Sequence, residues 1–509
     1  PTEAPTEAPT EAPTEAPTEA PTEAPTEVPT EAPTEVPTEV PTEAPTEPET
    51  EAETKTPAEE ALDRLNGTDW GGDEFGILYV KDIAGYEEEN EGQQGGSVLS
   101  DAVYERNLQL EERCHLDLVT IPATLGEYTA KVLTEVHTNT GDFDLISAPL
   151  YSTLSMATSN YLYDYNELDI DYEQDWWDAG TLDFSLAGHT FFMNGSYGTV
   201  DKDVTFVMMF NKEMQEELQK YHRREDLYEV VESNRWTLHY FHSAIQEIGY
   251  DRDGDGKMTE QDVYGFATVQ NGLESFFYGA DLKYVNNGRA LDEPELALSD
   301  EDQMEKAQSV LKLAQSIVHE NTSSYRVNTF VAEPGQEMNS LNMFVEDRVL
   351  FYCEAATYLH RLNQSIGGGY GVLPMPKYSK DQANYTTWTH SIGSTLSMPA
   401  TVVDEVRNKN MAAVLETYAV LSQMYVEPAY IESRIGRNGV CDENDVAMLE
   451  IIYDHRVYDM GEYAETFGFD SIFAECVYNN SSQFKQKYHG IGKSFVKRVY
   501  KLLDKLWDN

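Results

Sequence analysis

Phe75-Gly-Ile-Leu-Tyr-Val-Lys81, Leu116-Asp-Leu-Val-Thr-Ile121 and Phe143-Asp-Leu-Ile-Ser147 are short apolar runs rich in branched side chains, each of strand length. Between the first and second, Val103, Leu110 and Cys114 fall at offsets of seven and four. Between the second and third, Tyr128, Val132, Leu133 and Val136 share one helical face. Strand, helix, strand, helix, strand with short connections is the pattern of a mostly parallel sheet covered on both faces, because a parallel crossover uses a helix to carry the chain back. The spacing therefore predicts an α/β lobe. Ligands of such sheets sit beyond the carboxyl ends of the strands, which points to Asp82–Tyr86 and Pro149–Ser152.

Working outward, the apolar run Val204–Phe210 opens a second α/β lobe, followed by a helix over Glu213–His222. Further strands are expected over Val263–Val269, Val349–Cys353 and Gly371–Leu373, with helices near Trp236–Ile248 and Asp302–His319. After the extended stretch Trp388–Met398 the pattern turns helical, around Glu405–Tyr425, Asp442–Arg456 and Ser494–Trp507. In the last of these, Phe495, Val499, Leu502, Leu503 and Leu506 form one stripe, and Lys497, Arg498, Lys501 and Lys505 lie mostly elsewhere. Such a helix either docks on a core or lies on a membrane. An acidic protein offers its own charge partners, which favours the core.

The chain has 509 residues with 91 acidic against 35 basic side chains, a formal net charge of −56. That excess repels phosphates and excludes a nucleic-acid binder working through counterion release. No apolar run approaches the roughly 18 residues needed to cross a bilayer. The acids are unevenly placed: residues 1–60 hold 17 glutamates, one lysine and 14 of the 22 prolines, and Pro-Thr-Glu recurs twelve times from Pro1 to Glu47. Proline removes a backbone donor every fourth residue and the glutamates repel one another, so residues 1–60 are expected to be a disordered acidic tether. Fully extended, sixty residues reach on the order of 190 Å, enough to hold a domain off a surface or through a wall; a disordered tail with no anchor is the alternative. The chain opens at Pro1 without an initiator methionine; the expectation is a missing secretory leader ending at a lipid-modified cysteine, hence an extracellular lipoprotein anchored at the cell surface. Cys114, Cys353, Cys441 and Cys476 are too far apart for a zinc knuckle or redox dithiol, and both free thiols and any of three disulfide pairings stay open.

Asp251-Arg-Asp253-Gly-Asp255-Gly256-Lys257-Met-Thr-Glu-Gln-Asp262 fits a twelve-residue calcium loop. Hard divalent cations want six to eight oxygens, and this spacing offers the carboxylates of Asp251, Asp253, Asp255 and Asp262, the carbonyl of Lys257, and Gly256 for the sharp turn. The ion expected there is a structural Ca2+, with an Asx-rich turn as the alternative. Position 12 is Asp262 where a longer glutamate is usual. Gly490-Ile-Gly492-Lys493-Ser494 lacks the first glycine of a phosphate loop, and Gly367–Gly371 lacks the last glycine of a dinucleotide loop. No nucleophile elbow or His-Glu-x-x-His helix occurs, so no catalytic residue is assigned and the protein is not expected to be an enzyme. The 32 tyrosines and the loops Trp176-Trp177, Ser196-Tyr197, Phe276-Phe277-Tyr278 and Tyr385–Trp388 offer flat rings, which with carboxylates suit neutral glycans; ordinary core packing is the alternative.

Seven strings together carry a family likeness: Gly141-Asp-Phe-Asp144-Leu-Ile, Trp176-Trp177, Val207-Met-Met-Phe-Asn211-Lys212, Arg235-Trp236-Thr237-Leu, Asp262-Val-Tyr-Gly265-Phe, Gly371-Val-Leu-Pro374-Met-Pro376-Lys and Asp454-His-Arg456-Val-Tyr458-Asp. In order and spacing they resemble the bacterial extracellular solute-binding proteins of family 1, which feed sugar-type ABC importers. The resemblance implies a two-lobed α/β type II periplasmic binding-protein fold with a helical C-terminal part. Its divisions would be 61–198 and 390–430 for lobe 1, with 199–389 and 431–509 for lobe 2. It also implies a cleft lined by Tyr86, Tyr151, Ser152, Ser196, Tyr197, Glu274, Phe276, Phe277, Glu354, Tyr358 and Trp388, with Ala355 and Ala356 where a tryptophan is common. The implied function is a monomeric, extracytoplasmic receptor that delivers a neutral glycan to an ABC permease. The alternatives are a receptor for a peptide or other non-sugar solute, and a calcium-stabilised cell-surface interaction module.

Overall fold

The computed structural model describes residues 55–222, 225–246, 248–288, 290–291, 293–320, 323–326, 336–366, 369–401, 405–435, 442–463 and 468–507. The chain divides into two units, Pro1–Thr54 and Lys55–Asn509, and every described residue belongs to the second. The repeat, Gly367, Gly368 and Cys441 lie outside the described residues. The first described element precedes residue 61, the expected start of lobe 1. Pro57–Arg64 is a helix, started by a reciprocal capping box between Thr56 and Glu59 and held by the buried Ala58, Ala61 and Leu62.

In chain order the strands are β1 (Glu74–Val80), β2 (Asp117–Ala123), β3 (Leu145–Pro149), β4 (Phe192–Met193), β5 (Phe206–Asn211), β6 (Tyr264–Thr268) and β7 (Val285–Asn286). There follow β8 (Glu295–Leu296), β9 (Ser324–Arg326), β10 (Val349–Ala355), β11 (Tyr370–Leu373), β12 (Thr387–Trp388), β13 (Ser394–Ser397) and β14 (Arg456–Val457). Two five-stranded sheets form, in the orders β2-β1-β3-β13-β4 and β11-β5-β10-β6-β9. Each is mixed.

In the first sheet β1 runs parallel to β2 from Glu74↔Asp117 to Val80↔Ala123 and parallel to β3, whereas β13 lies antiparallel to both β3 and β4. The mostly parallel sheet expected for this lobe is thereby corrected. The reason is non-local: the chain re-enters from the second lobe with Ser394 opposite Pro149, at the carboxyl end of β3, and can only run back along it. Central β1 is buried from Phe75 onward. Edge strand β2 is half-exposed and carries Pro122, which an edge tolerates because one of its sides needs no ladder donor. Gly76 lets the segment before β3 pass close by, since a Cβ there would stand 2.7 Å from the Phe143 Cα. The helices Val98–Cys114 and Leu125–Thr138 connect these strands; the first is capped by Ser97, whose Oγ accepts from the Ser100 N–H at 3.0 Å, the second by a Thr124–Glu127 box.

In the second sheet β5 is antiparallel to β10 and β11, and β6 is parallel to β10 and β9. Its core is aromatic. Trp236, fully buried, donates from Nε1 to the Pro374 carbonyl at 2.8 Å, and Phe241 lies 5.1 to 5.9 Å from the rings of Trp236, Phe266, Phe276 and Phe351. Cys114, Cys353 and Cys476 are buried free thiols.

The helix Ile472–Tyr478 docks on Gln270–Gly279 through apolar packing, with Phe473 5.3 Å from Phe277, and through the buried acid Glu274; the neighbouring Asp459 is buried too. Glu274 accepts from the Ala474 N–H at 2.7 Å and from the Tyr284 hydroxyl. Asp459 accepts from the N–H groups of Gly461 at 2.8 Å and Val285 at 3.2 Å, and from the Tyr278 hydroxyl at 3.3 Å. Burial pushes Glu274 up to about 8 and Asp459 up to about 6, so both hold protons that an unfolded chain would release. The sign follows: from pH 4.5 to 8 the folded state binds more protons than the unfolded, and stability falls as pH rises. Melting temperature is expected to drop by several degrees between pH 5 and pH 8.5, and Glu274→Gln, which cannot ionise, to flatten that slope. An unchanged slope in thermal melts of the variant contradicts the assignment to Glu274.

Candidate functional site

The chain passes from the first sheet to the second between β4 and β5 and returns between β12 and β13. Where these segments meet, the hydroxyls of Thr205 and Thr389 lie 3.0 Å apart, and the His390 N–H donates to the Val204 carbonyl at 3.0 Å. From the second lobe the Ala356 N–H, just past β10, donates to the Thr205 carbonyl at 2.9 Å. On the first-lobe side the returning segment is gripped by the loops beyond β1 and β3. The Tyr151 N–H donates to the Ser391 carbonyl at 3.2 Å, the Leu150 N–H to the Gly393 carbonyl at 2.9 Å, and the Tyr86 hydroxyl to the Ile392 carbonyl at 3.1 Å. One continuous hydrogen-bonded seam thus joins the strand ends of both lobes.

The crossing after β4 folds into a short helix, Thr199–Asp203, whose three charged side chains are all buried. Asp203 receives both prongs of the Arg434 guanidinium at 2.6 Å each and the Tyr430 hydroxyl at 3.0 Å. Lys202 lies 3.5 Å from Glu427. Asp201 stands 3.4 Å from Arg456 Nε, and Arg456 also pairs with Asp178 of the first lobe at 2.5 Å. The Tyr458 hydroxyl is 2.7 Å from both Asp178 and Asp201. Burial pushes Asp201 up, against the pull of Arg456. Gly393 permits the approach of the second crossing, because a Cβ there would come within 2.6 Å of Asp201 Oδ1. Glu89, buried in the first lobe, accepts from the N–H groups of Thr199 at 2.7 Å and Val200 at 2.9 Å and from the Ser394 hydroxyl at 2.9 Å, clamping both crossings at once. None of Glu89, Asp178, Asp201, Asp203, Arg434 and Arg456 stands out by spacing; the one usable signal is the string Asp454–Asp459, which places an arginine and a tyrosine side by side.

The expected cleft residues divide. Tyr86 and Tyr151 bond the returning segment at Ile392 and Ser391, Ser152 follows Tyr151, and Glu354 and Tyr358 lie two residues to either side of Ala356, which bonds the first crossing; Trp388 precedes the returning segment on β12. Tyr151, Ser152 and Tyr358 are half-buried, while Trp388 is sandwiched between Phe206 at 4.8 Å and Tyr278 at 6.1 Å. Glu354 is buried, with the Ala355 N–H donating to it at 3.0 Å. Ser196 bonds Glu427 at 3.0 Å, and Tyr197 packs on Tyr418, both on the first lobe's helical side. Glu274, Phe276 and Phe277 belong to the core of the second lobe: Phe277 stacks on Tyr284 at 4.5 Å, and both phenylalanines have no exposed surface. The cause is helical phase. β6 ends at Thr268 and the next helix starts at Gln270, so the half-buried Val269 and Gln270 and the exposed Asn271 form the turn and positions 274 to 277 lie one to two turns inside. At that turn is only a small hollow of about 20 Å³, lined by Phe266, Thr268, Val269, Gln270 and Tyr325 among others.

The carboxylates of Asp251, Asp253 and Asp255 converge within 4.8 Å of one another on an exposed loop. The turn is built for it. Asp251 accepts from the N–H groups of Gly254 at 2.6 Å and Gly256 at 2.7 Å, and both glycines have positive φ. Three like charges so close repel unless neutralised, and the hard oxygen donors fit a divalent cation. Asp262 serves elsewhere: its carboxylate accepts from the Thr259 N–H at 2.6 Å and the Arg252 N–H at 2.9 Å, bonds that hold it below the usual carboxylate range. Lys257 is exposed, its N–H on Asp255 at 2.8 Å.

Residues 1–35 match the family described as PT disordered repeat. Among curated proteins no sequence matches the chain. Solved structures are similar at the level of fold. The maltose-binding periplasmic protein MalE of Listeria monocytogenes, in complex with maltose, is 12% identical with a TM-score of 0.51, covering 84% of this chain and 98% of that one. UspC of M. tuberculosis is 12% identical at 0.52, covering 82% and 98%. The apo form of RafE from Streptococcus pneumoniae is 12% identical at 0.51, covering 84% and 98%. Among the described residues no helix is long and apolar enough to cross a membrane. Beyond its repeat, the chain has the two-lobed α/β fold of periplasmic binding proteins.

Proposed function

We propose that the protein is an extracytoplasmic receptor that takes a neutral carbohydrate between its lobes and presents it to an ABC permease, held at the cell surface by a lipid anchor ahead of the repeat. The observation that carries this reading is the seam itself: strand ends of two separate sheets meet at paired crossings, the place where a hinge can bring two half-sites together. Maltose in the Listeria protein of the same fold supports the choice of a sugar. Tyr151 and Ser152 from the first lobe and Glu354 and Tyr358 from the second supply the rings and hydroxyl partners, with Trp388 as a rigid floor and Gln270 at the rim of the second lobe. The net charge of −56 disfavours anionic sugars. Binding needs no bond-making step; the ligand stabilises whichever arrangement of the lobes contacts it from both sides.

A panel of neutral glycans from disaccharides to tetrasaccharides is expected to contain at least one that raises the melting temperature, since a ligand at a hundred times its Kd adds about 2.7 kcal/mol to stability. Tyr151→Ala should weaken that ligand roughly three- to tenfold in calorimetry, the loss of one ring contact. Shifts with peptides and none with any glycan would replace the sugar by a peptide as the solute.

Ca2+ is the ion proposed for the Asp251, Asp253 and Asp255 loop, with the Lys257 carbonyl completing the set and the role structural. A chelator is expected to lower the melting temperature and added Ca2+ to restore it, while Asp251→Asn should be insensitive to both. A melt that is indifferent to chelator in the parent protein removes the metal.

A further inference from the structure

The helix Phe484–Trp507 has two faces of opposite character. Phe484, Tyr488, Phe495 and Val499 are buried, and Tyr488 ties the helix to the second lobe through its hydroxyl, 2.8 Å from the Tyr284 carbonyl. The opposite face, from Gln486 to Asp504, is exposed for about 27 Å at 1.5 Å per residue. Lys493, Lys497 and Lys501 line it and enter no ion pair among the described residues, and between them stand Val496 at 45% and Tyr500 at 50% exposure. Large exposed hydrophobics are otherwise confined, among the described residues, to Val98 and Tyr250. In sequence these 24 residues carry seven of the chain's 35 basic side chains and one of its 91 acids. Screening at physiological salt limits exposed charges to a reach of about 8 Å, so this face presents a positive field although the whole chain is strongly negative.

We propose that this face docks on an anionic phospholipid surface, Lys493, Lys497 and Lys501 meeting headgroup phosphates while Val496 and Tyr500 seat at the boundary of the acyl region. Charge complementarity selects the anionic partner. A convex helix face without a groove, mixing lysines with one aliphatic and one phenolic side chain, fits a planar interface, where phenol rings prefer to lie. The docking is independent of solute binding and would set the angle at which the second lobe faces the membrane.

The full chain, sedimented with vesicles in 0.1 M salt, is expected to bind phosphatidylcholine–phosphatidylglycerol mixtures on the order of a hundredfold more tightly than phosphatidylcholine alone, about fivefold for each of three lysines. Raising salt to 0.5 M should release it. Lys493→Gln, Lys497→Gln and Lys501→Gln combined should abolish capture without moving the melting temperature, and Tyr500→Ser should weaken it severalfold. Equal capture by neutral vesicles, or undiminished capture of the triple variant, overturns the proposal. So does a salt-sensitive dimer in sedimentation velocity without vesicle binding, which would assign the face to a second copy of the chain.

Discussion

The structure depends on neutralising the charges buried in one five-residue crossing. Asp201, Lys202 and Asp203 sit between two sheets, where an unpaired ion costs several kcal/mol. Their partners Arg456, Glu427 and Arg434 all come from the last fifth of the chain. Neither lobe is therefore electrostatically complete until the C-terminal segments have returned. Apolar packing alone would tolerate several docking angles; bidentate pairing of Arg434 with Asp203 at 2.6 Å tolerates few.

That dependence explains what could be read in the sequence. Strands β1, β3, β5, β6, β10 and β11 announce themselves because a buried strand is a local apolar run, and half-exposed β2 does so by its branched residues. Direction is different. β13 is antiparallel because of where the chain comes from, and no property of Ser394–Ser397 records it. The same limit governs the site. Tyr151 and Ser152 are found by the rule that ligands lie beyond strand ends, a rule about local succession. Glu274, Phe276 and Phe277 are placed in the core because the helix begins one residue past Val269, and a boundary error of one turn converts a rim position into an interior one. The junction residues were hidden for a third reason: in a chain with 91 acids, the few that are buried look like the rest.

Buried acids serve two purposes in this protein, distinguished by their partners. Asp201 and Asp203 pair with guanidinium groups where the lobes join. Glu274, Asp459 and Glu462 face hydroxyls and backbone N–H groups, and burial pushes all three upward. A carboxyl that keeps its proton is a neutral hydrogen-bonding group, so the second lobe can hold Ile472–Tyr478 against Gln270–Gly279 without desolvating a cation. The arrangement fits a chain with few basic residues to spare, seven of which lie in the terminal helix.

The same contrast bears on how the lobes move. Opening, which the proposed receptor activity requires, must separate contacts at the rim and preserve those at the pivot. Two contacts between residues of the two lobes are of a kind that breaks at small cost: Lys283 with Asp183, at 25% and 38% exposure, is worth no more than about 1 kcal/mol, and the Asn287 amide donates to the Ser185 carbonyl at 2.7 Å. The pivot contacts are not. Thr205 with Thr389, Glu89 with the Thr199 and Val200 N–H groups, and Arg456 between Asp178 and Asp201 are buried, and severing any one leaves a polar group without water. For the proposed receptor this contrast favours rotation about the seam over its rupture. Asp178 is the informative member, because it belongs to the first lobe yet pairs with an arginine of β14, which lies along β12 on the second side. In the proposed receptor it belongs with the pivot, not with the part that moves.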